Sequence, residues 1–207
     1  MQVALVGATG NAGSRILAEL VRRGHSVTAI VRDVARVPSA PGVTAKSGDV
    51  TDERGLLALL EGHDAAISAV HFVSCEPEKL VETVRASGVP RYLVVGGAGS
   101  LELAIGTIPL GLRLIDAPAF PDAWKQEAAA GCAFLDLLRS ETELDWTFLS
   151  PSAMFVPGKR TSKFRLGGDQ LLTNEYGSSI SLEDYAVALV NELETPSHSR
   201  KRFTVGY

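Results

Sequence analysis

Three glycines stand near the start of the chain in the segment Gly7-Ala8-Thr9-Gly10-Asn11-Ala12-Gly13, with the spacing GxxGxxG. An apolar run precedes the segment and a run with helical spacing follows it, so it is expected to connect a strand to a helix. Glycines let the backbone turn sharply and approach a pyrophosphate, whose charge then lies at the helix N-terminus. The spacing predicts a dinucleotide-binding loop. Its members are Gly7, Thr9, Gly10, Asn11, Ala12 and Gly13.

Two arginines follow the second apolar run, in the sequence Val31-Arg32-Asp33-Val34-Ala35-Arg36. Proteins that bind NAD usually place a carboxylate at the end of the second strand, where it accepts a hydrogen bond from the ribose 2′-OH. Here Arg32 stands at that point, and Arg36 lies on the same side if the segment is helical. The pair is expected to hold a 2′-phosphate, so that NADPH is preferred over NADH. The alternative is a pair of solvated arginines, one of them neutralised by Asp33.

The elements that position these residues alternate along the first hundred residues. Apolar and β-branched runs predict strands, and runs with helical spacing predict the intervening helices. Strands are expected at Met1–Val6, Ser26–Val31, Val43–Lys46, Asp64–Val70 and Arg91–Val95, and helices at Asn11–Arg23, Thr51–Leu60 and Glu78–Ser87. This alternation predicts an α/β fold, a Rossmann-type doubly wound parallel sheet with helices on both faces.

The second half of the chain is less regular, and we expect it to belong to the same single domain, 1–207, with 151–207 on the substrate side. A long helix, a sixth strand, a last helix and a terminal strand are expected at Ala123–Arg139, Asp145–Leu149, Leu182–Glu194 and Lys201–Val205. Ser181 and Asp184 form a capping-box pair ahead of the last helix. The segment 97–121 is long for a plain connection. It is interpreted as a lid or hairpin near the active site, or as an extra strand at the sheet edge.

Composition excludes several classes of function. The 207 residues carry a net charge of −4 without a basic run, which argues against a nucleic-acid partner. No apolar stretch reaches the roughly 18 residues of a membrane span. Cys75 and Cys132 lie outside any CxxC spacing and indicate buried thiols in a reducing, cytoplasmic compartment. His25, His63 and His198 are scattered without an acidic partner nearby, so no metal site is expected.

The segments GATGNAG and VTAIVRD resemble the atypical short-chain dehydrogenase/reductases, and within them the NADH-flavin reductase group and, more distantly, flavin reductases of the biliverdin reductase B type. The resemblance extends over nearly the whole chain. It is most specific in the blocks Asp145–Pro151, Phe164–Gly168 and Ile180–Val190. It implies a nicotinamide-dependent protein that reduces flavins or similar planar acceptors. The pattern Arg-Asp-x-x-Arg is shared with biliverdin reductase B, which uses NADPH.

The resemblance also assigns cofactor-binding positions at the ends of the later strands. It places Asp49 and Val50 at the adenine, although Asp49 is equally a turn cap. It places Ala69, Val70 and His71 along the ribose and phosphates, although His71 also fits an ordinary surface histidine.

Two further strand ends complete the implied site. The backbone of Ser150 and Pro151 faces the nicotinamide amide by resemblance, and the alternative there is a strand ended by proline. After the fifth strand, Gly96, Gly97 and Gly99 are expected to leave room for a ring system, with Gly97 at the cofactor, or else to form only a turn. Met154 and Phe155 are expected either to line a flat apolar pocket or to belong to the core.

One departure from the larger family bears on the mechanism. Most short-chain dehydrogenases use a Tyr-xxx-Lys pair on the helix after the fifth strand, and the tyrosine donates a proton. The long helix here contains no tyrosine. If Asp136–Arg139 is matched to the acid-x-Leu-Arg ending that is usual in the family, the two positions fall on Ala128 and Cys132. Hydride transfer without a Tyr–Lys pair suits a flavin, whose ring shares the developing charge.

These features predict an NADPH-dependent reductase with a small-molecule acceptor and with flavin as a candidate substrate. The alternative from another class is a redox-sensing protein that binds the dinucleotide without turnover, like the fungal nitrogen-metabolite-repression regulator. An epimerase or dehydratase acting on sugars is disfavoured because those reactions normally require the missing tyrosine. The protein is expected to be a monomer or a homodimer.

Overall fold

A computed structural model describes residues 1–105 and 108–207 of the chain. The helices are α1 (Asn11–Arg22), α2 (Glu53–Leu60), α3 (Pro77–Ala86), α4 (Asp122–Ser140) and α5 (Leu182–Glu194). The strands are β1 (Gln2–Val6), β2 (Ser26–Val31), β3 (Val43–Ser47), β4 (Ala65–Ser68), β5 (Tyr92–Val95), β6 (Glu102–Ile105), β7 (Ile108–Arg113), β8 (Trp146–Ser150), β9 (Met154–Val156), β10 (Arg165–Gly167), β11 (Ser179–Ser181) and β12 (Lys201–Gly206).

The central sheet has eight strands in the order β10-β12-β8-β5-β4-β1-β2-β3. All neighbours are parallel except β10, which runs antiparallel to β12 at one edge. With β8 as the sixth strand, the inner order is the doubly wound 3-2-1-4-5-6 arrangement. The predicted Rossmann-type fold is therefore confirmed, and the strand order reverses between β1 and β4.

Helices cover both faces of this sheet because its inner strands are apolar on both sides. On one face α1 and α5 pack over a core that includes Leu5, Ile16 and Leu189. On the other face α2, α3 and α4 pack over a core that includes Leu60 and Phe148. The carboxyl ends of the parallel strands are left free to carry the site.

Several predicted elements differ from the structure by one or two residues at their ends. Helix α2 begins at Glu53, because the Asp52 side chain accepts a hydrogen bond from Gly55 N (3.0 Å) and caps the helix. Strand β4 ends at Ser68, so that Ala69 and Val70 follow the strand instead of ending it. Helix α3 begins and ends one residue earlier than predicted.

The capping box at α5 is only half formed. Ser181 Oγ accepts a hydrogen bond from Asp184 N at 3.0 Å, as predicted. The Asp184 carboxylate does not return to the Ser181 backbone, and instead accepts from the backbone N–H groups of Thr161 and Ser162, each at 2.7 Å. Asp184 therefore fastens the loop after β9 to the start of α5.

The segment 97–121 contains the antiparallel hairpin β6–β7, which forms its own two-stranded sheet. It does not add a strand to the edge of the central sheet, and the alternative of an extra edge strand was therefore wrong. Residues 106 and 107 lie outside the described residues. The base of the hairpin is closed by hydrogen bonds from Leu114 N to Leu101 O (2.8 Å) and from Ile115 N to Gly99 O (3.0 Å). The hairpin therefore starts at the loop that leaves β5.

Candidate functional site

The parallel strands end together at one edge of the sheet. Gly7, Gly48, Ala69 and Gly96 each follow a strand, and each donates its backbone N–H to a carbonyl of the neighbouring strand over 2.9 to 3.0 Å. Gly7 and Ala69, which follow β1 and β4, flank the point where the strand order reverses. Open α/β sheets bind their ligands in the crevice at this edge. The predicted residues of the first, third, fourth and fifth strand ends are thus brought to one place.

Two glycines of the glycine loop, Gly7–Gly13, are fixed by close backbone contacts. Gly7 has a φ of +83°, and a Cβ there would lie 2.4 Å from the carbonyl oxygen of Ala69. A Cβ at Gly13 would lie 2.1 Å from the carbonyl oxygen of Gly7. Gly10 differs, because the nearest atom to its Cβ would be the Gly7 oxygen at 3.4 Å. The protein alone tolerates a side chain at Gly10, so the open space there is available to a ligand.

Helix α1 begins at this loop without a cap of its own. Its N-cap is Gly10, which forms no side-chain cap, and the first turn contains no acidic residue. The first N–H groups of a helix lack intrahelical partners and carry the positive end of the helix dipole. Thr9 and Ala12 are half-buried beside them, and Asn11 is exposed. These features fit a pyrophosphate at the start of α1.

The two arginines after β2 are both exposed, but they do not share a helix. A short 3-10 helix covers only Val34–Arg36 and Arg32 precedes it, so the condition of one helical segment is not met. Asp33 caps that helix by accepting from Ala35 N at 3.1 Å. Within the described part of the chain, neither Arg32 nor Arg36 forms an ion pair. Both charges are therefore available to an anionic ligand.

Asp49, beyond β3, takes part in a turn. Its Oδ1 accepts hydrogen bonds from Thr51 N (2.9 Å) and from Thr51 Oγ1 (2.8 Å). These bonds, and more weakly the charge of Arg32, hold the pKa of Asp49 below its ordinary value. The carboxylate therefore stays ionised close to Arg32, and its second oxygen has no partner among the described residues. Val50 is half-buried and packs against the core.

The exit of β4 carries an exposed histidine beside a carboxylate of α4. His71 follows Ala69 and Val70, and its Nδ1 lies 3.3 Å from Glu127 Oε1. The Glu127 carboxylate also accepts from Phe72 N at 2.9 Å and from Val73 N at 3.1 Å. Sequence reasoning missed Glu127, because the contact joins residues 56 positions apart and no motif indicates it.

The glycines after β5 do not all leave room for a ring. A Cβ at Gly96 would lie 2.3 Å from the ring of Phe148, and a Cβ at Gly99 would lie 2.9 Å from the Cβ of Ala128. Both positions are filled by packing within the protein, so the expectation was wrong for them. At Gly97 the nearest atom to a Cβ would belong to the Phe72 ring, at 3.9 Å. Space at this strand end is therefore available at Gly97.

Ser150 and Pro151 are buried at the end of β8. The carbonyl oxygen of Ser150 accepts a hydrogen bond from Thr204 Oγ1 at 2.9 Å, and its Oγ lies 3.5 Å from Arg202 Nη1. These polar atoms therefore have partners inside the protein. The contact of Ser150 and Pro151 with a nicotinamide stays a prediction.

Tyr185 is the tyrosine at the ends of β5 and β8, and it is fully buried. Its hydroxyl donates to Leu149 O at 2.7 Å and accepts from Gly96 N at 3.3 Å. Burial raises the pKa of Tyr185, so this phenol holds two strand ends together and is a poor proton donor. Phe155 packs on Tyr185 with ring centroids 4.6 Å apart and belongs to the core, while Met154 is exposed.

By resemblance, the two positions of the missing Tyr–Lys pair are Ala128 and Cys132 of α4. Ala128 touches Gly99, as described above, and presents only a methyl group. Cys132 is buried, and burial raises the pKa of its thiol. Neither side chain can replace the phenol and the ammonium group.

A buried arginine near this strand end was also missed by sequence reasoning. The Arg202 side chain lies on β12 and is paired with Asp169, with Nε 2.8 Å from Oδ1. Its Nη1 lies 3.4 Å from Ser100 Oγ, which connects β12 to the loop after β5. Nothing in the local sequence distinguishes Arg202 from a surface arginine, because its partners come from distant segments.

The other histidines have structural partners. His25 Nε2 lies 2.9 Å from Glu194, and His198 Nδ1 lies 2.7 Å from Glu192, so the expectation of no acidic partner was wrong for both. His63 lies 3.0 Å from the carbonyl of Leu60. The described residues contain no cluster of three metal-binding side chains and no helix long and apolar enough to cross a membrane.

The class of protein follows from the site at this sheet edge and from a comparison of the chain with known protein families. Residues 7–196 match the family described as NAD(P)H-binding. The chain therefore belongs to the NAD(P)H-binding family. The expected dinucleotide is consistent with the glycine loop and the uncapped start of α1.

Individual proteins that are similar to this chain were also found. The chain is 38% identical over 212 residues to the "Uncharacterized protein YwnB" of Bacillus subtilis, covering 99% of this chain and 98% of the relative. A "putative NADH-flavin reductase" from Streptococcus pneumoniae is 38% identical with a TM-score of 0.84, over 100% of this chain and 99% of that one. A "putative epimerase" from Bacteroides thetaiotaomicron is 38% identical with a TM-score of 0.92, over 100% and 96%. The resemblance to the NADH-flavin reductase group is confirmed.

Proposed function

We propose that this protein is an NADPH-dependent reductase of flavins or similar planar acceptors, including quinones, and that it works without a Tyr–Lys pair. Membership of the NAD(P)H-binding family and the similarity to a protein named as an NADH-flavin reductase support the reaction class. NADPH preference, the flavin acceptor and the cytoplasmic location belong to the proposal. The same holds for a monomeric or homodimeric state.

The residues around the glycine loop would hold the dinucleotide. Gly10 leaves space for the pyrophosphate, and the first N–H groups of α1 would bond its oxygens. The unpaired Arg32 and Arg36 would hold the 2′-phosphate through charge-assisted hydrogen bonds. Asp49 would accept from the adenine amino group with the carboxylate oxygen that has no partner in the turn.

The observation that carries the choice of acceptor is the contact between Ala128 and Gly99. Where a carbonyl-reducing relative needs a phenol, this chain presents a methyl group packed against a glycine. A bound reduced nicotinamide supplies a hydride, and an acceptor that spreads the resulting charge over a ring system needs no phenol beside it. The protein would leave space for the acceptor at Gly97 and would hold the dinucleotide and the acceptor in position for the transfer.

Steady-state oxidation of NADPH and NADH, each with FMN, riboflavin and a quinone, tests the proposal. We expect FMN or riboflavin to accelerate NADPH oxidation and to behave as a dissociable substrate. A protein that binds NADPH but accelerates its oxidation with none of these acceptors would instead be a dinucleotide sensor.

A further inference from the structure

His71 lies between the two halves of the site. Two residues before it, the carbonyl of Ala69 lies against Gly7 of the glycine loop. One residue after it, the ring of Phe72 is the nearest group to the open position at Gly97. His71 therefore lies on the sheet edge between the pyrophosphate loop and the space proposed for the acceptor.

Glu127 orients this histidine. The Glu127 carboxylate is held by two backbone N–H groups, of Phe72 and Val73, and its side chain is 25% exposed. The Oε1 atom of this fixed carboxylate lies 3.3 Å from Nδ1 of His71. Because Nδ1 faces the carboxylate, Nε2 is the ring nitrogen left for another partner, and the side chain is 75% exposed. An acid–base group oriented by a second group is the arrangement that proton transfer requires.

Two exposed apolar side chains belong to the segments that carry the pair. Trp124 stands one turn before Ala128 on α4 and is 60% exposed. Val73 is bonded to Glu127 through its backbone, and it is 51% exposed. Large exposed apolar side chains at a ligand crevice indicate a contact surface for an apolar ligand. The indole ring offers a face on which a planar molecule can stack.

We propose that His71, positioned by Glu127, donates the proton that a quinone-like acceptor takes up during its reduction, and that the acceptor stacks on Trp124. The inference deepens the proposed function and rests on it. The reductant is the reduced nicotinamide dinucleotide, which gives up a hydride and becomes its oxidised form. The acceptor gains the hydride, the N–H bond at Nε2 of the His71 imidazolium breaks to leave the neutral ring, and an O–H bond forms on the acceptor oxygen. Solvent then returns a proton to the exposed imidazole.

The proposal separates two kinds of acceptor. A quinone that accepts a hydride becomes an oxyanion, which a nearby proton donor stabilises. A flavin that accepts a hydride spreads the charge over its ring, so a proton donor matters less. His71 should therefore matter for quinones and much less for flavins.

Two other titratable groups belong to this region. Glu127 of α4 is its partner, and Cys75 lies in the same loop. Burial, reinforced by the charge of Glu127, raises the pKa of Cys75 to about 11. The thiol is thus a neutral, weak acid at physiological pH.

The first test compares acceptors in the His71→Gln variant. General acid catalysis typically contributes about 100-fold or more, so kcat with menadione should fall by about that factor. The kcat with FMN should fall much less, because a reduced flavin spreads the charge over its ring. Added imidazole should partly restore menadione reduction in His71→Ala. The matched control is His63→Gln, which removes a histidine bonded to Leu60 at a distance from this loop.

The second test needs no turnover. Trp146 is buried, so Trp124 is the exposed one of the two tryptophans. Menadione added without NADPH should quench the protein fluorescence in a saturable way, and Trp124→Phe should abolish that quenching. In Glu127→Gln, menadione turnover should fall while Trp124 quenching persists.

The outcomes are distinguishable. If the wild-type protein accelerates NADPH oxidation with none of FMN, riboflavin and menadione, the proposed function is wrong, and the assignment of His71 is wrong with it. If His71→Gln lowers kcat equally with FMN and with menadione, or lowers neither kcat, only the assignment of His71 is wrong. Saturable quenching that survives in Trp124→Phe overturns the stacking assignment.

Discussion

Replacing Arg32 by alanine removes one of the two charges assigned to the 2′-phosphate of NADPH. Arg32 is exposed and forms no ion pair within the described residues, so its loss should leave the fold intact. Its neighbour Asp49 keeps both hydrogen bonds from Thr51 in the variant. The substitution should therefore lower the affinity for NADPH and leave the stability of the protein nearly unchanged.

The size of the effect follows from the kind of bond. A hydrogen bond to a charged group contributes about 1.5–3 kcal/mol, and about 1.4 kcal/mol is tenfold in affinity. Because Arg32 is exposed and screened by salt, the loss should lie toward the lower part of this range. Arg32→Ala should weaken NADPH binding by roughly tenfold to a hundredfold. NADH binding should hardly change, since NADH has no 2′-phosphate.

Binding titrations of both cofactors measure the difference, with nicotinamide fluorescence as the signal. Arg22→Ala is a matched control, because Arg22 is an exposed arginine in the last turn of α1, at the opposite end from the glycine loop. Raising the ionic strength should weaken NADPH binding more than NADH binding in wild type. Equal losses for the two cofactors in Arg32→Ala, or a wild-type preference for NADH, would refute the reasoning.

Two further predictions concern the glycine loop and the pH dependence of stability. Gly10→Val should lose NADPH binding while its free energy of unfolding stays near that of wild type. Gly13→Val should fail to fold or be strongly destabilised, because its Cβ would meet the Gly7 carbonyl at 2.1 Å. Chemical unfolding and NADPH titration distinguish the two variants, and full NADPH affinity in Gly10→Val would contradict the loop assignment. The buried Glu19 has a pKa lowered from 4.5 to about 2, first by its hydrogen bond from Arg160. Its contribution to stability, up to about 3 kcal/mol, is present above pH 4.5 and is lost as the pH falls toward 2. Glu19→Gln should flatten the pH dependence of the unfolding free energy in that interval, and an unchanged slope would show that this carboxylate is not involved.

The sheet and the glycine loop were predictable because their signals are local. Ser26–Val31 and Leu182–Glu194 have the same bounds in the structure as in the sequence prediction. A buried parallel strand is a short run of apolar residues, and an amphipathic helix repeats its apolar residues with a fixed spacing. The alternation of such elements determines the topology, because parallel crossovers are right-handed.

The finer geometry of the site was not predictable, because it depends on contacts between distant segments. Gly96 and Gly97 are identical in type and adjacent, yet one is filled by the ring of Phe148 and the other is open. The strands β9, β10 and β11 are each three residues long, too short for a period to be recognised. Glu127 reaches His71 across 56 positions, and local sequence carries no signal for such a pair.

A single-turnover experiment tests the central claim most directly. Protein saturated with NADPH is mixed with FMN in the absence of oxygen, and the nicotinamide and flavin absorbances are followed together. The account predicts that both fall at the same rate and in equal amounts, faster than in a protein-free mixture, and that Gly10→Val removes the acceleration. Bound NADPH that is oxidised no faster than in free solution, with FMN or with menadione, would contradict the claim that this site transfers a hydride to a planar acceptor.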